Sequence, residues 1–137
     1  MKKINCILLV DDSPADNEFH TIIIKDAGVC NHIRVAEDGL KALDYIMNVA
    51  KPGNENDFPK ADLILLDINM PRMNGFEFLE AYHKLDEKLK SSIVIAMLTT
   101  SLSPEDRNRA LKSGEIVDYE NKPLTAGMLN KILEKIF

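Results

Sequence analysis

Short apolar runs recur along the chain, each followed by a stretch with helical spacing, and that alternation admits few folds. Cys6-Ile7-Leu8-Leu9-Val10 reads as a strand buried on both faces, as do Leu63-Ile64-Leu65-Leu66 and Ile93–Leu98. A short second strand is predicted near Ile33–Ala36, and a more polar fifth from about Ile116 to Glu120. Between them lie five predicted helices. Ser13 caps the first, Pro14 suits its first position, Asp16 favours its positive end, and Gly28 closes it. Its apolar stripe is Phe19, Ile22, Ile23 and Ala27. Asp38 caps a second helix with Leu40, Leu43, Met47 and Ala50 on its apolar face. Pro71 and Asn74-Gly75 precede a third helix carrying Phe76, Leu79, Tyr82 and Leu85. Ser103-Pro104 opens a fourth, ended by Gly114. Thr125 caps a fifth with Met128, Leu129, Ile132, Leu133 and Ile136 inward. Lys51–Lys60 is a long polar loop. Strands alternating with helices imply an α/β fold, a five-stranded parallel sheet with helices on both faces and residues 1–137 in one domain.

Composition removes several functions. The chain has 137 residues, is 45% hydrophobic and 28% charged, and carries a formal net charge of −5. Disorder is excluded, and nucleic-acid backbone would be repelled. No apolar run approaches the ~18 residues of a membrane span. The basic start, Met1-Lys2-Lys3, is not followed by a cleavage site, so the expected location is the cytoplasm. Cys6 (in an apolar run) and Cys30 (near a helix end) read as reduced thiols, and His20, His32 and His83 lack zinc-ligand spacing.

In an open parallel sheet, ligands bind beyond the carboxyl ends of the strands. Those ends are Asp11-Asp12, Asp67, Thr99-Thr100-Ser101 and Asn121-Lys122-Pro123. Each alone also fits an ordinary turn or loop. Together they would gather three carboxylates, a hydroxyl and an ammonium on one rim. Like charges so close raise each other's pKa, and a divalent cation relieves the conflict. Hard oxygen ligands suit Mg²⁺. Lys122 and Thr99 suit the oxygens of a transferring phosphoryl group, whose stabilisation is mostly electrostatic. There is no glycine-rich phosphate cradle, so the phosphoryl group is expected from a partner or small donor, resting on a carboxylate.

These residues resemble the receiver domain of two-component response regulators, the family of the chemotaxis response regulator, over essentially the whole chain. The resemblance rests on Leu9-Val10-Asp11-Asp12, on Leu65-Leu66-Asp67-Ile68-Asn69-Met70-Pro71-Arg72-Met73-Asn74-Gly75, on Leu98-Thr99, and on Lys122-Pro123. It implies a flavodoxin-like (βα)5 doubly wound fold. It also implies that Asp67 is the phospho-acceptor and that Asp12 and Asp67 ligate Mg²⁺ directly. Asp11 then assists through water, and the Asn69 backbone carbonyl is a further ligand. Lys122 contacts the phosphoryl group, Thr99 is the switch hydroxyl, and Tyr119 is the aromatic switch. Asn69 and Ser101 fall where the family tunes loss of the phosphoryl group. Implied partners are a histidine kinase or histidine phosphotransfer protein and a downstream protein target, with the chain a monomer or a phosphorylation-dependent homodimer. The expected activity is that of a phosphoryl acceptor with autophosphatase activity, not of a metabolic enzyme.

Two features depart from the family pattern. Gly114 to Lys122 is about one residue longer than usual, and Glu115 replaces a small residue. Both predict an altered loop before the fifth strand. Two rival readings are an aspartyl-nucleophile, Mg²⁺-dependent phosphohydrolase and a phosphate-independent interaction module. The first needs an acid/base two residues after the nucleophile, where Asn69 stands. The second leaves the complete acid set with Lys122 and Thr99 without a purpose.

Overall fold

The computed structural model describes residues 3–90 and 93–136; Met1 and Lys2 of the basic start lie outside them. In chain order the elements are β1 (Ile4–Val10), α1 (Pro14–Ala27), β2 (Cys30–Ala36), α2 (Gly39–Val49), β3 (Leu63–Leu66) and α3 (Gly75–His83). They continue with α4 (Glu87–Lys90), β4 (Val94–Thr99), α5 (Pro104–Lys112), β5 (Ile116–Asn121) and α6 (Ala126–Ile136). The sheet is parallel with strand order β2-β1-β3-β4-β5. That is the doubly wound order whose direction reverses between β1 and β3.

Alternation along the central strands sends side chains to opposite faces. Leu8, Val10, Ile64, Leu66, Ile95 and Met97 pack under α2, α3 and α5 with Ile46, Phe78, Leu79 and Ala110. Ile7, Leu9, Leu63, Leu65, Ala96 and Leu98 pack under α1 and α6 with Ile24, Leu129, Ile132 and Leu133. Both faces are covered, so the strand sequences are continuously apolar.

The helix starts form where their caps predict. The side chains of Ser13, Asp38, Asn74 and Ser103 accept from the backbone N–H groups of Asp16, Lys41, Glu77 and Asp106. Asn74 and Glu77 complete a reciprocal capping box. The Thr125 hydroxyl accepts from the N–H of Met128. Gly28 ends α1 in the left-handed region, at φ +63°.

Four expectations need correction. There are six described helices, not five; the extra one, α4, is a single turn of three charged residues and Leu89. Strand β2 is longer than expected, and Cys30 opens it rather than lying at a helix end. The inward faces of α1 and α2 are rotated from the expected stripes. On α1, Phe19 and Ile22 are 45% and 51% exposed, whereas Asn17, His20 and Ile24 are buried. On α2, Leu40 and Met47 are exposed, and Ala42, Tyr45 and Ile46 are buried. On α1 the inward face thus carries polar Asn17 and His20, and the Asn17 amide donates to the Asp11 carbonyl at the site rim; on α2, Ala42 lies inward beside Tyr45 and Ile46. Finally, the extra residue before Lys122 lies in the strand and not in the preceding loop. Ile95 pairs with Ile116 but Ala96 pairs with Asp118, leaving Val117 as a β-bulge. Beyond it the register recovers, with Met97 opposite Tyr119 and Thr99 opposite Asn121.

Candidate functional site

Register brings the predicted residues to one rim. Val10 pairs with Leu66 and Leu66 with Met97, so Asp11 and Asp67 leave the sheet together, while β4 runs on beside them to Thr99. The N–H of Asp67 donates to the Val10 carbonyl at 2.9 Å, and that of Lys122 to the Thr99 carbonyl at 2.8 Å. Asp11, Asp12 and Asp67 each offer a carboxylate oxygen, all within 4.8 Å of one another. Asp11 and Asp67 are buried and Asp12 is exposed, which leaves the cluster open on one side.

Lys122 reaches into this cluster from beyond β5. Its Nζ lies 2.6 Å from Asp11 Oδ2, 2.9 Å from Asp16 Oδ2 and 3.4 Å from Asp67 Oδ2. Burial disfavours the ammonium, but the hydrogen bonds to Asp11 and Asp16 and the field of Asp67 outweigh it, and its pKa is raised. Burial pushes the Asp67 carboxyl above its ordinary range; the Lys122 charge opposes this and the Asp11 charge adds to it. Asp67 is also held from its own backbone, since Oδ1 accepts from the Ile68 N–H at 2.8 Å.

The loop after β3 is pinned close to the acceptor position. A Cβ on Gly75 would lie 2.4 Å from the Asp67 carbonyl oxygen, so only glycine admits the start of α3 there. Asn69 is exposed within this loop. Thr99 is fully buried at the end of β4, and its hydroxyl accepts from the Ser101 N–H at 3.2 Å. Ser101 then donates to Asp106 Oδ2 at 2.7 Å, and its carbonyl accepts from Asn121 Nδ2 at 3.0 Å. A hydrogen-bonded path thus runs from Thr99 to the first turn of α5. Tyr119 is not drawn into the acid cluster. Its ring packs in the α2, α3 and α5 core, and its hydroxyl has no hydrogen-bond partner among the described residues.

Two contributions went unforeseen. Asp16 was read only as a helix-end charge, yet it is the second-nearest carboxylate to Lys122. The Ser-Pro-x-Asp spacing directly after Asp11-Asp12 was the signal, because Ser13 as cap turns the third helical residue back over the strand end. Asp38 is fully buried and paired with Arg72, whose Nε donates to Oδ2 at 2.6 Å from a left-handed backbone at φ +63°. With Gly39 packed against Met73, this contact braces the start of α2 on the loop after Asp67.

The donor set fits a hard divalent cation: three carboxylates, no sulfur or imidazole, and an open side. Residues 7–134 match the response regulator receiver domain family. The chain belongs to that family. Among its relatives, the chemotaxis protein CheY-3 of Vibrio cholerae is 33% identical over 131 residues, covering 96% of this chain and 90% of that one. A two-component response regulator from Cytophaga hutchinsonii is 30% identical with a TM-score of 0.87 over 98% of both chains. Response regulator Rcp1 of Synechocystis is 35% identical over 100 residues, covering 73% of this chain and 65% of that one. The structure of the Mn(2+)-bound form of response regulator Rcp1 superposes with a TM-score of 0.70, at 31% identity over 96% of this chain and 91% of that one. As a receiver domain, the chain groups with signalling proteins rather than metabolic enzymes, and the family's interactions are with histidine kinases or phosphotransfer proteins. Among the described residues, no helix is long and apolar enough to cross a membrane.

Proposed function

We propose that residues 1–137 form one receiver domain that accepts a phosphoryl group on Asp67, with Mg²⁺, from a phosphohistidine on a histidine kinase or phosphotransfer protein. The observation that carries this reading is the approach of Asp11, Asp12 and Asp67 to within 4.8 Å beside the Lys122 ammonium. An Asp67 carboxylate oxygen attacks phosphorus, an O–P bond forms, and the N–P bond to the imidazole breaks. The imidazole keeps the electron pair. Asp11, Asp12, Asp67 and the Asn69 carbonyl would hold Mg²⁺, which supplies positive charge to the phosphoryl oxygens. Lys122 adds a second positive charge. Hydrolysis by water returns the Asp67 carboxylate and releases phosphate, the autophosphatase half of the cycle.

The new oxygens on Asp67 attract the Thr99 hydroxyl and Lys122. Thr99 would then exchange the Ser101 N–H for a phosphoryl oxygen, loosening the path to α5. Two charge-assisted contacts at roughly 1.5–3 kcal/mol each are enough to shift an α5–β5 equilibrium from mostly one state to mostly the other. Tyr119 lies on the moving strand, and we assign it the second switch position. The signal leaves through contact with a downstream protein, from a monomer or a phosphorylation-dependent homodimer. The free cysteines Cys6 and Cys30 support a reducing, cytoplasmic setting.

The test is intact-mass measurement after incubation with acetyl phosphate and Mg²⁺. The wild type gains one phosphate-sized increment, lost on chelation of the metal. Asp67→Asn gains none. A wild type that never gains it, or a variant that gains it equally, removes the proposal.

A further inference from the structure

Lys122 has three ammonium protons and three carboxylates around it, at 2.6 Å (Asp11), 2.9 Å (Asp16) and 3.4 Å (Asp67). The acceptor is the most distant of the three. Asp16 comes from a different element, 106 residues away in sequence, and its direction is fixed. Ser13 caps α1 and accepts from the Asp16 N–H, while the Ser13 N–H donates to Asp11 Oδ1 at 3.0 Å. The same cap thus ties Asp16 to the Asp11 carboxylate. The Lys122 side chain is 9% exposed and that of Asp16 is 42% exposed, so Asp16 forms the solvent-side wall of the lysine's position.

We propose that Asp16 is a positioning residue for Lys122, parking its ammonium on the α1 side of the site until a phosphoryl group on Asp67 competes it back. The inference rests on the phosphoryl-acceptor reading above and adds a residue to it. Its consequence is electrostatic. With Asp16 charged, Lys122 is partly neutralised before a donor arrives, and a negative charge stands beside the incoming phosphoryl oxygens. Removing that charge frees the lysine to attract the donor and to stay on the phosphorylated acceptor.

Two measurements test this on the whole chain. In the metal-free protein, ¹⁵N NMR of lysine ammonium groups should show a slowly exchanging signal from Lys122, assigned by its loss in Lys122→Arg. Asp16→Asn should broaden that signal into the solvent-exchanged background, and Asp16→Glu should retain it. Persistence of the sharp signal in Asp16→Asn overturns the proposal, because Asp11 and Asp67 would then suffice. This readout needs no phosphoryl transfer, so it judges the clamp even if the chain takes up no phosphate. With acetyl phosphate and Mg²⁺, Asp16→Asn should phosphorylate about threefold faster at low donor, the scale of one charge acting through a wet site. The gain should shrink as donor saturates, and the phosphoryl lifetime should lengthen. Asp16→Glu should restore wild-type behaviour. An Asp16→Asn rate equal to or below wild type, or an Asp16→Glu variant that behaves like Asn, overturns the proposal.

Discussion

Asp67 is kept out of water at the end of a buried strand, and its carboxyl is correspondingly reluctant to ionise. A folded-state pKa above the 3.8 of the free side chain means that ionisation costs stability. That cost is absent below the unfolded pKa and complete above the folded one. In chelator at pH 7, Asp67→Asn should therefore be more stable than wild type, with a higher Tm. The advantage should vanish as the pH falls below about 3.8. Thermal melts across that range check both the sign and the window. Asp38 behaves oppositely. Burial alone would raise its pKa, but the Lys41 N–H and Arg72 more than compensate, and the carboxyl is held low. Its contribution is present above the unfolded pKa and lost as pH falls through the folded one. Arg72→Ala leaves this buried carboxylate with its cap but no counter-charge. We expect a loss of about 1–2 kcal/mol at neutral pH, read from urea midpoints. Among single residues, sequence showed the acids, Thr99 and Lys122 because each ends a strand. Arg72 and Asp16 stayed hidden, since their roles depend on a left-handed backbone and on the direction set by a cap.

The helices show where patterning informs and where it misleads. The cap residues Ser13, Asp38, Ser103 and Thr125 were legible because capping is decided within four residues, whereas Asn74 was read only as a chain break and caps α3 as well. The inward face of α1 was not. Its most apolar stripe, Phe19 and Ile22, faces outward, while His20 and Asn17 face the site, with the Asn17 amide donating to the Asp11 carbonyl at 2.9 Å. Tertiary position overrode hydrophobic period there. Ile24→Ala should cost about 3 kcal/mol in chemical denaturation. Phe19→Ser should stay within about 0.5 kcal/mol of wild type, although Phe19 is the larger side chain. Element α4 is one turn long, too short for helical spacing to betray it, and Leu89 is its one apolar residue. Its lysine Lys90 is drawn to Glu115 Oε1 at 3.5 Å, the same oxygen that His83 meets at 2.6 Å. Glu115, the residue that departs from the family pattern, thereby ties α3 and α4 to the entrance of β5.

At the scale of the molecule, the alternation of elements made a parallel sheet covered on both faces readable before any coordinate, but the order β2-β1-β3-β4-β5 does not follow from alternation alone. Convergence of the acids follows from that order, because β1 and β3 are neighbours at the reversal of winding. A divalent cation that binds only where these carboxylates are folded together must stabilise the whole chain. At a hundred times its dissociation constant, Mg²⁺ should add about 2.7 kcal/mol to unfolding, seen as a rise in Tm that chelator reverses. Asp12→Asn should weaken the rise without lowering the metal-free Tm by more than about 0.5 kcal/mol equivalent, since that side chain is exposed. The bulge at Val117 works at this scale too. It takes up an additional link of chain near the start of the last strand, so Asn121 and Lys122 arrive in step with Thr99. Length can therefore vary at the far end of the sheet, where Val117 looks out to solvent, while the reactive end keeps its spacing.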